Sequence, residues 1–573
     1  MYHKIIAVSL FLILTTTFSA QKLYTPYEKG NKNQTTTYHE MLDFYNQLEN
    51  KYPTIQNLTF GGDDNGEPIQ LVVYNPDKNF SFPQKNKSII LINNGIHPGE
   101  PDGIDASMLM LRDYAEGKLK APKNVIIASI SAYNISGMLN RGSFSRANQN
   151  GPEEYGFRGN ARNYDLNRDF IKADSKNAQT FQEIFRYLKP DFVIDNHVSN
   201  GADYPYLFTY ISTNKERLGG KLAELFHHEM QPEILKYLDR KNILHIPYVN
   251  IHGDIPDKGF PAFMDSPRYA TGYTTLFNVP GTVVETHMLK PYQDRVKATV
   301  AYMLSSIDYV DQNTSKLKTA ILKNREEYQP GKSYPIQWKP DTTSSTPLLF
   351  KGYSAKYKAS EVSGQQRLYY DRNEPFEKIV NYYNTYKATE YITIPSYYII
   401  PQSEWKTLEH LHRNKIEMKK LHQDSIITVE YYKIDDYKTV QKPYEGHYLH
   451  FDTKISTINE KVKFRKGDYI ISTKQEGVKY LLETLEPSAV DSFFNWNFYD
   501  AILGQKEHYS AYVFEDTAAE LLKKDIVLKN NFERKKKEDS DFAKNGKAQL
   551  DWIYQNSPYF ETTYQRYPIS RIP

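Results

Sequence analysis

Residues 87–103, KSIILINNGIHPGEPDG, place a short apolar run directly before a turn that contains a histidine and a glutamate. The run SIILI is typical of a buried strand. In the turn, His97 and Glu100 are three positions apart and Pro98-Gly99 bends the backbone between them, so that both side chains can converge on one metal ion. The same His-x-x-Glu spacing is common in ordinary surface turns. The rest of the chain has to decide between the two interpretations.

Apolar runs alternate with amphipathic helical stretches as far as about residue 310. The strand-like runs are KSIILINNG (87–95), KNVIIASISAYN (123–134), PDFVIDNHVS (190–199) and GTVVETHML (281–289). The helical stretches include GIDASMLMLRDYAEG (103–117), NAQTFQEIFRYL (177–188) and YQDRVKATVAYMLSSIDYV (292–310). Strands that are apolar throughout and alternate with helices indicate a mixed, mostly parallel sheet flanked by helices. We therefore predict an α/β fold for residues 21–310.

The carboxyl ends of these strands carry the residues suited to chemistry. Ligands of open α/β sheets lie outside the carboxyl ends of the strands, and His97, His197 and Glu285 all lie at or just past such an end. His197 can therefore supply a third ligand to a metal held by His97 and Glu100. Two histidines and one glutamate with an open fourth position form a catalytic zinc set. Because the chain contains no cysteine, any metal has to be bound by imidazole and carboxylate groups.

Glu285 closes an otherwise apolar strand. A carboxylate at the end of a buried run is costly unless it is hydrogen-bonded or functional. Next to an activated water it can serve as a general base. The alternative is a strand-end residue that simply turns to solvent. His287, two positions further on, would share a face with Glu285 in a strand, but the spacing alone is weak evidence for a role.

Length, composition and charge set further bounds. A chain of 573 residues exceeds what one hydrophobic core usually supports, so at least two domains are expected. The net charge is +3, from 72 basic and 69 acidic residues, and this balance gives no indication of a nucleic-acid partner or an anionic membrane.

The first twenty residues predict export. Lys4 precedes an apolar run from Ile5 to Leu14, and the small residues Ser19 and Ala20 follow, which is the layout of a secretory signal peptide. No later segment has the ~20 uninterrupted apolar residues of a membrane span. We therefore expect no integral membrane segment, and a periplasmic or extracellular bacterial protein.

The sequence pattern changes after residue 310. Residues 311–345 include a Pro-, Ser- and Thr-rich stretch and are predicted to be a linker or domain entry. Residues 346–573 mix β-like segments such as EYITIPSYYIIP with helical ones such as GVKYLLETL. This composition predicts a smaller accessory domain of α+β or β-rich structure, whose role the sequence leaves open.

Two arginine-bearing loops are candidates for substrate binding. In RNYDLNRDF (162–170), Asn167 and Arg168 offer an amide beside a planar guanidinium, a pair suited to binding a carboxylate. The alternative is a solvated loop whose arginine pairs with its own aspartates. Upstream, NRGSFSRANQN (140–150) contains Arg141 and Arg146, either of which could simply be exposed.

In their order along residues 35–310, these pieces resemble the zinc carboxypeptidases of the carboxypeptidase A type. The matching pieces are a His-x-x-Glu after a strand, an Asn-Arg pair, a His ending a later strand and a Glu ending a still later strand. The resemblance implies a mixed eight-stranded sheet between helices, one zinc ion, and a peptide substrate with a free C-terminus. The segment HPGE carries glycine where the digestive members have arginine, so their substrate preference cannot be carried over.

Position by position, the resemblance assigns roles to the residues already named. The zinc ligands would be His97, Glu100 and His197, and Glu285 would be the general base. Arg146 would polarise the scissile carbonyl, Asn167 and Arg168 would bind the terminal carboxylate, and Asp165 would orient His97. The family's mobile tyrosine has only candidates here, Tyr269 and Tyr273, and neighbouring Arg268 would favour an acidic C-terminal residue unless it forms a structural ion pair.

The sequence therefore predicts a zinc exopeptidase that removes C-terminal residues. One alternative is a zinc-dependent deacylase or peptidoglycan-peptide amidohydrolase, which would keep the zinc ligands and Glu285 but would not depend on Arg168. Another is a non-catalytic binding protein with a vestigial metal site. A complete set of three ligands and a base argues against the latter.

Overall fold

A computed structural model of the chain describes residues 22–251 and 254–573. The predicted signal peptide, residues 1–20, lies outside these ranges. None of the helices within them combines the length and the apolar character needed to cross a membrane.

The first part of the chain forms one mixed eight-stranded sheet. The strands are β1 (Ile55–Phe60), β2 (Ile69–Tyr74), β3 (Ser88–Asn94), β4 (Val125–Ile130), β5 (Phe192–Ser199), β6 (Phe208–Ser212), β7 (His245–Pro247), β8 (Phe260–Pro261) and β9 (Gly281–His287). All except β8 belong to this sheet, in the order β1-β2-β4-β3-β5-β9-β6-β7. The neighbours β4-β3, β3-β5, β5-β9 and β6-β7 are parallel, and the other three pairs are antiparallel. The predicted mixed, mostly parallel sheet is confirmed.

Ten α-helices in the described part of the chain accompany this sheet. They are α1 (Pro26–Lys29), α2 (Tyr38–Lys51), α3 (Asp102–Ala115), α4 (Ile135–Leu139), α5 (Lys176–Leu188), α6 (Lys215–Leu218), α7 (Gly220–Leu225), α8 (Gln231–Arg240), α9 (Ala270–Thr275) and α10 (Tyr292–Glu326). Every residue of β2, β3, β4 and β5 is buried, so both faces of the sheet are covered. The adjacent parallel strands β3, β5 and β9 end side by side and create the crevice in which the candidate site lies.

The segment predicted to be a linker or domain entry, residues 311–345, consists mostly of regular structure. Helix α10 continues to Glu326, because buried residues such as Thr314, Leu317 and Ile321 recur at helical spacing. A strand follows at Ser333–Pro340. Only short turns in this segment are irregular.

The remainder of the chain is mainly β-structure with a group of helices near its end. The strands are β10 (Ser333–Pro340), β11 (Thr346–Ala359), β12 (Gln366–Tyr383), β13 (Tyr386–Thr393), β14 (Tyr397–Ile400), β15 (Lys419–Lys420), β16 (Ser425–Thr439), β17 (His450–Phe464), β18 (Tyr469–Ser472) and β19 (Arg566–Ile572). The helices are α11 (Trp405–Arg413), α12 (Val478–Leu485), α13 (Ala511–Lys524), α14 (Ile526–Glu538), α15 (Ser540–Ala543) and α16 (Gly546–Gln555). A six-stranded sheet, β15-β18-β14-β19-β16-β17, confirms the predicted mixed C-terminal region.

This C-terminal region packs tightly against the first sheet and its helices. Phe277, which follows α9, stacks on Tyr480 of α12 with ring centroids 5.6 Å apart. Strand β12 of the long β11-β12 hairpin pairs with β8. One buried hydrophobic cluster contains residues from both parts of the chain.

Candidate metal centre and substrate cavity

Two of the three predicted metal ligands lie at the ends of adjacent parallel strands. His97 follows β3 in the turn 95–100, and His197 is the sixth residue of β5. Glu100 completes the turn, and its backbone N–H donates to the carbonyl of His97 at 2.8 Å. The glycine in HPGE allows close packing here, because a Cβ on Gly99 would stand 2.9 Å from Cδ of Arg146 and 3.1 Å from the carbonyl oxygen of Gly156.

The side chains of His97, Glu100 and His197 converge as the sequence predicts. Their ligand atoms all lie within 4.8 Å of one another, and all three residues are buried. The two Nδ1 atoms are 3.2 Å apart, His97 Nδ1 is 3.2 Å from Glu100 Oε1, and His197 Nδ1 is 3.0 Å from Glu100 Oε2. Ligands held about 2.0–2.1 Å from a tetrahedral zinc ion lie about 3.3 Å apart. The two Nδ1 atoms and the carboxylate of Glu100, which offers one oxygen to each histidine, therefore have nearly the spacing of three ligands around one zinc ion.

Each histidine is oriented by a carboxylate on its other ring nitrogen. Nε2 of His97 is 2.9 Å from Oδ1 of Asp165, as predicted, and Nε2 of His197 is 2.9 Å from Oδ2 of Asp195. These acceptors hold the proton on Nε2 and leave the Nδ1 lone pair free for a metal. Asp195 was not among the predicted residues, although it lies two positions before His197 and so shares its face of the strand.

The charge distribution also fits a bound cation. Two inward-facing lone pairs and a buried carboxylate repel one another unless positive charge lies between them. Burial opposes ionisation of Glu100, but Arg146 and His97 hold the pKa of its carboxyl well below the usual value. Burial likewise opposes a charged His197, yet Asp195 and Glu100 raise the pKa of its imidazole well above the usual value. The first shift keeps Glu100 negatively charged, and the second favours positive charge on His197, so both indicate a site that stabilises a cation. The residues present fit a divalent metal ion.

Glu285 lies beside this cluster. It pairs with His197 in the parallel register of β5 and β9, and its side chain lines the same cavity. Burial raises the pKa of Glu285 to about 8, and the nearby carboxylate of Glu100 acts in the same direction. A divalent cation at the cluster would favour the carboxylate form and lower this pKa. His287, in contrast, is buried on the ring of Tyr204, 4.2 Å between centroids, and does not line the cavity.

The cavity next to the cluster has a volume of about 130 Å³. Its polar wall includes Asn167, Arg168 and Tyr269 of the predicted residues. The guanidinium of Arg168 stacks over the ring of Tyr269 at 4.6 Å and donates one hydrogen bond, to the carbonyl of Asn167 at 2.8 Å. The amide oxygen of Asn167 is buried and has no partner among the described residues. Nη2 of Arg168 lies 3.9 Å from Oδ2 of Asp165, beyond hydrogen-bonding distance, so donors of this guanidinium are available to a ligand. The amide oxygen of Asn167 offers an acceptor beside them.

The structure does not bring Arg146 to the cavity wall; it brings Arg158 there instead. Arg146 is fixed behind Glu100, with Nη1 2.7 Å from Oε1 of Glu100 and Nε 3.1 Å from Gln149. Arg158 donates twice to Oδ2 of Asp165, at 3.1 and 2.9 Å, and its Nη1 is 3.6 Å from Glu100. The prediction for Arg146 failed because several arginines precede Asn167 and spacing alone does not reveal which loop folds back.

Tyr273 and Arg268 do not have the predicted substrate roles either. Tyr273 is fully buried and its hydroxyl donates to Asn414 at 2.5 Å, so it cannot close over a ligand. The guanidinium of Arg268 pairs with Asp491, at 2.8 Å from Nε and 2.7 Å from Nη2. Arg268 thus forms the structural ion pair that was the alternative to a role in specificity.

Two further cavity residues escaped the sequence analysis. Tyr248 lies on the wall formed after β7, and Asp265 is a buried carboxylate beside α9 whose pKa is raised by burial to about 6. Neither belongs to a recognisable motif. Both reach the cavity through irregular segments, whose course is not encoded in hydrophobic periodicity.

Solved structures resemble this chain, whereas family models and curated proteins do not. No family model matches the sequence, and no curated protein matches it. Similar solved structures include a metallo-carboxypeptidase from Burkholderia cenocepacia, with 15% identity, a TM-score of 0.36 and coverage of 48% of this chain and 70% of that one. A carboxypeptidase A from Helicoverpa armigera has 12% identity, a TM-score of 0.37 and coverage of 50% and 74%. At such low identities and TM-scores, the chemistry of the site has to be judged from its own side chains.

Proposed function

We propose that the chain is a zinc-dependent exopeptidase that removes residues from the C-terminus of peptides. The observation that carries this proposal is that a three-ligand cluster shares one small cavity with a carboxylate and with an amide-guanidinium pair. Such a cavity offers a metal, a base and a binding group for a free carboxylate within the reach of one amino-acid residue.

His97, Glu100 and His197 would hold the ion. Zinc in such a site supplies Lewis acidity and lowers the pKa of water towards ~7. The carboxylate of Glu285 would take the proton of the attacking water and later return it to the leaving amine. Arg158, rather than Arg146, would donate to the carbonyl oxygen as negative charge develops on it, because its guanidinium lines the cavity.

Asn167 and Arg168 would bind the C-terminal carboxylate. A guanidinium matches the geometry of a carboxylate, and the ring of Tyr269 under Arg168 limits where that guanidinium can lie. Holding the free end at this wall fixes which peptide bond reaches Glu285, so that cleavage is restricted to the chain end.

Replacing Arg168 with methionine should raise KM for peptides with a free C-terminus by about 10- to 100-fold, because a charge-assisted carboxylate contact is lost. The unaltered protein should hydrolyse free-acid peptides and leave their C-terminal amides intact. Steady-state kinetics on a matched pair of such peptides measures both effects. Equal hydrolysis of acid and amide would instead favour the deacylase or amidohydrolase alternative.

Replacing Asp195 with asparagine should weaken zinc binding about 10- to 100-fold, because His197 loses the carboxylate that orients it. Competition with a chromogenic chelator measures the affinity. Asp239→Asn is a matched control, since Asp239 accepts from Nε2 of a different histidine, His245, at 3.0 Å on the surface. An unchanged affinity in Asp195→Asn would show that this aspartate does not support the metal site.

We also propose that the protein is exported, on the basis of the apolar run after Lys4 in the first twenty residues. Peptides outside the bacterial cytoplasm, including those of the cell wall, would then be its substrates. Fractionation of cells that produce the full chain tests this, and retention in the cytoplasm would contradict it.

A further inference from the structure

A turn of the C-terminal region contacts the segment that carries the candidate carboxylate-binding residues. The turn 444–447 has the sequence YEGH and lies between β16 and β17. Two backbone hydrogen bonds between Tyr444 and His447, of 2.7 and 3.1 Å, close it. It lies against residues 164–174, the segment in which Asp165, Asn167 and Arg168 occur.

Three consecutive residues of the turn make the contact. Oε2 of Glu445 accepts from the backbone N–H of Asp165 at 2.8 Å. Gly446 has φ of +81°, and a Cβ there would stand 2.8 Å from the hydroxyl oxygen of Tyr164. Nε2 of His447 lies 2.7 Å from Oδ2 of Asp174. The turn is therefore fixed to both ends of the segment.

Asp165, which Glu445 contacts, links the metal cluster to the carboxylate-binding pair. One carboxylate oxygen of Asp165 bonds to His97 and also accepts from the backbone N–H of Asn167 at 2.9 Å. The other accepts from Arg158. Asp165 is thus the N-terminal cap of the short helical turn that contains Asn167 and Arg168. Glu445 holds the backbone of that cap.

The tight turn itself sets the backbone of Glu445. Its φ of +48° and the φ of +81° at Gly446 are both left-handed, as a two-residue hairpin turn closed by Tyr444 and His447 requires. This turn presents the side chain of Glu445 to the backbone of Asp165.

The same region also holds the other side of Arg168. Asp491 accepts from the backbone N–H of Arg268 at 3.0 Å as well as from its guanidinium. Tyr269, which follows Arg268 in the chain, has the ring over which the guanidinium of Arg168 stacks. Contacts from the C-terminal region thus fix both the segment that carries Arg168 and the ring beneath its guanidinium.

We propose that the C-terminal region is a structural part of the carboxylate-binding site and that Glu445 is a positioning residue. Through the backbone of Asp165, Glu445 fixes the turn that presents Asn167 and Arg168 to the terminal carboxylate of the substrate. This inference rests on the exopeptidase activity proposed above and assigns the C-terminal region a role in substrate binding.

Kinetics of the full-length, zinc-loaded protein test the proposal. Glu445→Ala should raise KM for a free-acid peptide about tenfold, the effect of losing one hydrogen bond to a charged group, and weaken inhibition by the free product amino acid by the same factor. The kcat should stay within about twofold, and zinc content should stay at one per chain, since the turn contacts neither Glu285 nor the ligands. Glu445→Gln keeps an oxygen acceptor and should restore KM to near that of the unaltered protein.

Two more variants make the test decisive. Gly446→Ala should raise KM as Glu445→Ala does, because the added Cβ pushes the turn away from Tyr164. Glu460→Ala, in β17 of the same region, should leave KM unchanged. An unaltered KM in Glu445→Ala, a fall in kcat and zinc content at constant KM, or failure of Glu445→Gln to restore KM would each overturn the inference alone. Absence of hydrolysis by the unaltered protein would overturn the proposed function and the inference with it.

Discussion

Replacing Glu285 with glutamine should lower kcat by about 10²–10⁴-fold while zinc remains bound. The amide has almost the shape of the carboxylate, but it cannot take a proton from the attacking water. Glu285 lies opposite His197 in the strand register and lines the cavity, so its side chain is beside the ligand cluster. Steady-state kinetics together with metal analysis of the variant measures the two quantities separately.

A matched glutamate controls for effects of the substitution itself. Glu183 is an exposed residue of α5, and Glu183→Gln should leave kcat unchanged. Substrate KM should also change little in Glu285→Gln, because Asn167 and Arg168 are intact. Normal turnover by Glu285→Gln would exclude Glu285 as the base.

Removing the metal should abolish turnover and destabilise the protein. Without a metal, only protons on the imidazoles can offset the buried carboxylate of Glu100, which lies 3.0 Å from Nδ1 of His197. A ligand present at 1,000 times its Kd stabilises the folded state by about 4 kcal/mol, and chelation removes this contribution. Calorimetry and activity measurements before chelation, after it and after addition of zinc should show both losses and their recovery.

His197→Gln should reproduce the effect of chelation, because glutamine does not replace an imidazole ligand. The matched control is His228→Gln, since His228 lies in another His- and Glu-containing segment but is exposed and outside the cavity. The His228→Gln variant should bind zinc as the unaltered protein does. Equal zinc content and activity in His197→Gln and the unaltered chain would contradict the assignment of the ligands.

The parts of the site that the sequence predicts are those attached to regular strands. His97, His197 and Glu285 could be brought together because parallel strands end at one edge of a sheet, and apolar runs identify those strands. Asp195 could have been added by the same logic, as it shares a strand face with His197. The mixed, mostly parallel sheet follows from the same pattern, whereas the number of eight strands was implied only by the resemblance to the carboxypeptidases.

The parts that failed depend on irregular segments or on contacts between distant parts of the chain. Nothing in the local sequence distinguishes Arg158 from Arg146, because only the fold shows which arginine lines the cavity. Tyr273 was a candidate for the mobile tyrosine, but its ring is buried against Tyr480 of α12. Arg268 forms an ion pair with Asp491, which lies 223 positions away in sequence. The role of the turn 444–447 was likewise invisible, since it depends on a contact 280 residues distant in sequence.

X-ray diffraction from crystals of the purified full-length protein, with anomalous data collected on both sides of the zinc absorption edge, tests the central claim most directly. One zinc peak per chain is expected, bonded to Nδ1 of His97, Nδ1 of His197 and the carboxylate of Glu100, with Glu285 beside its open side. A zinc-supplemented crystal with no anomalous peak between these side chains, or with its peak elsewhere in the chain, would contradict the account.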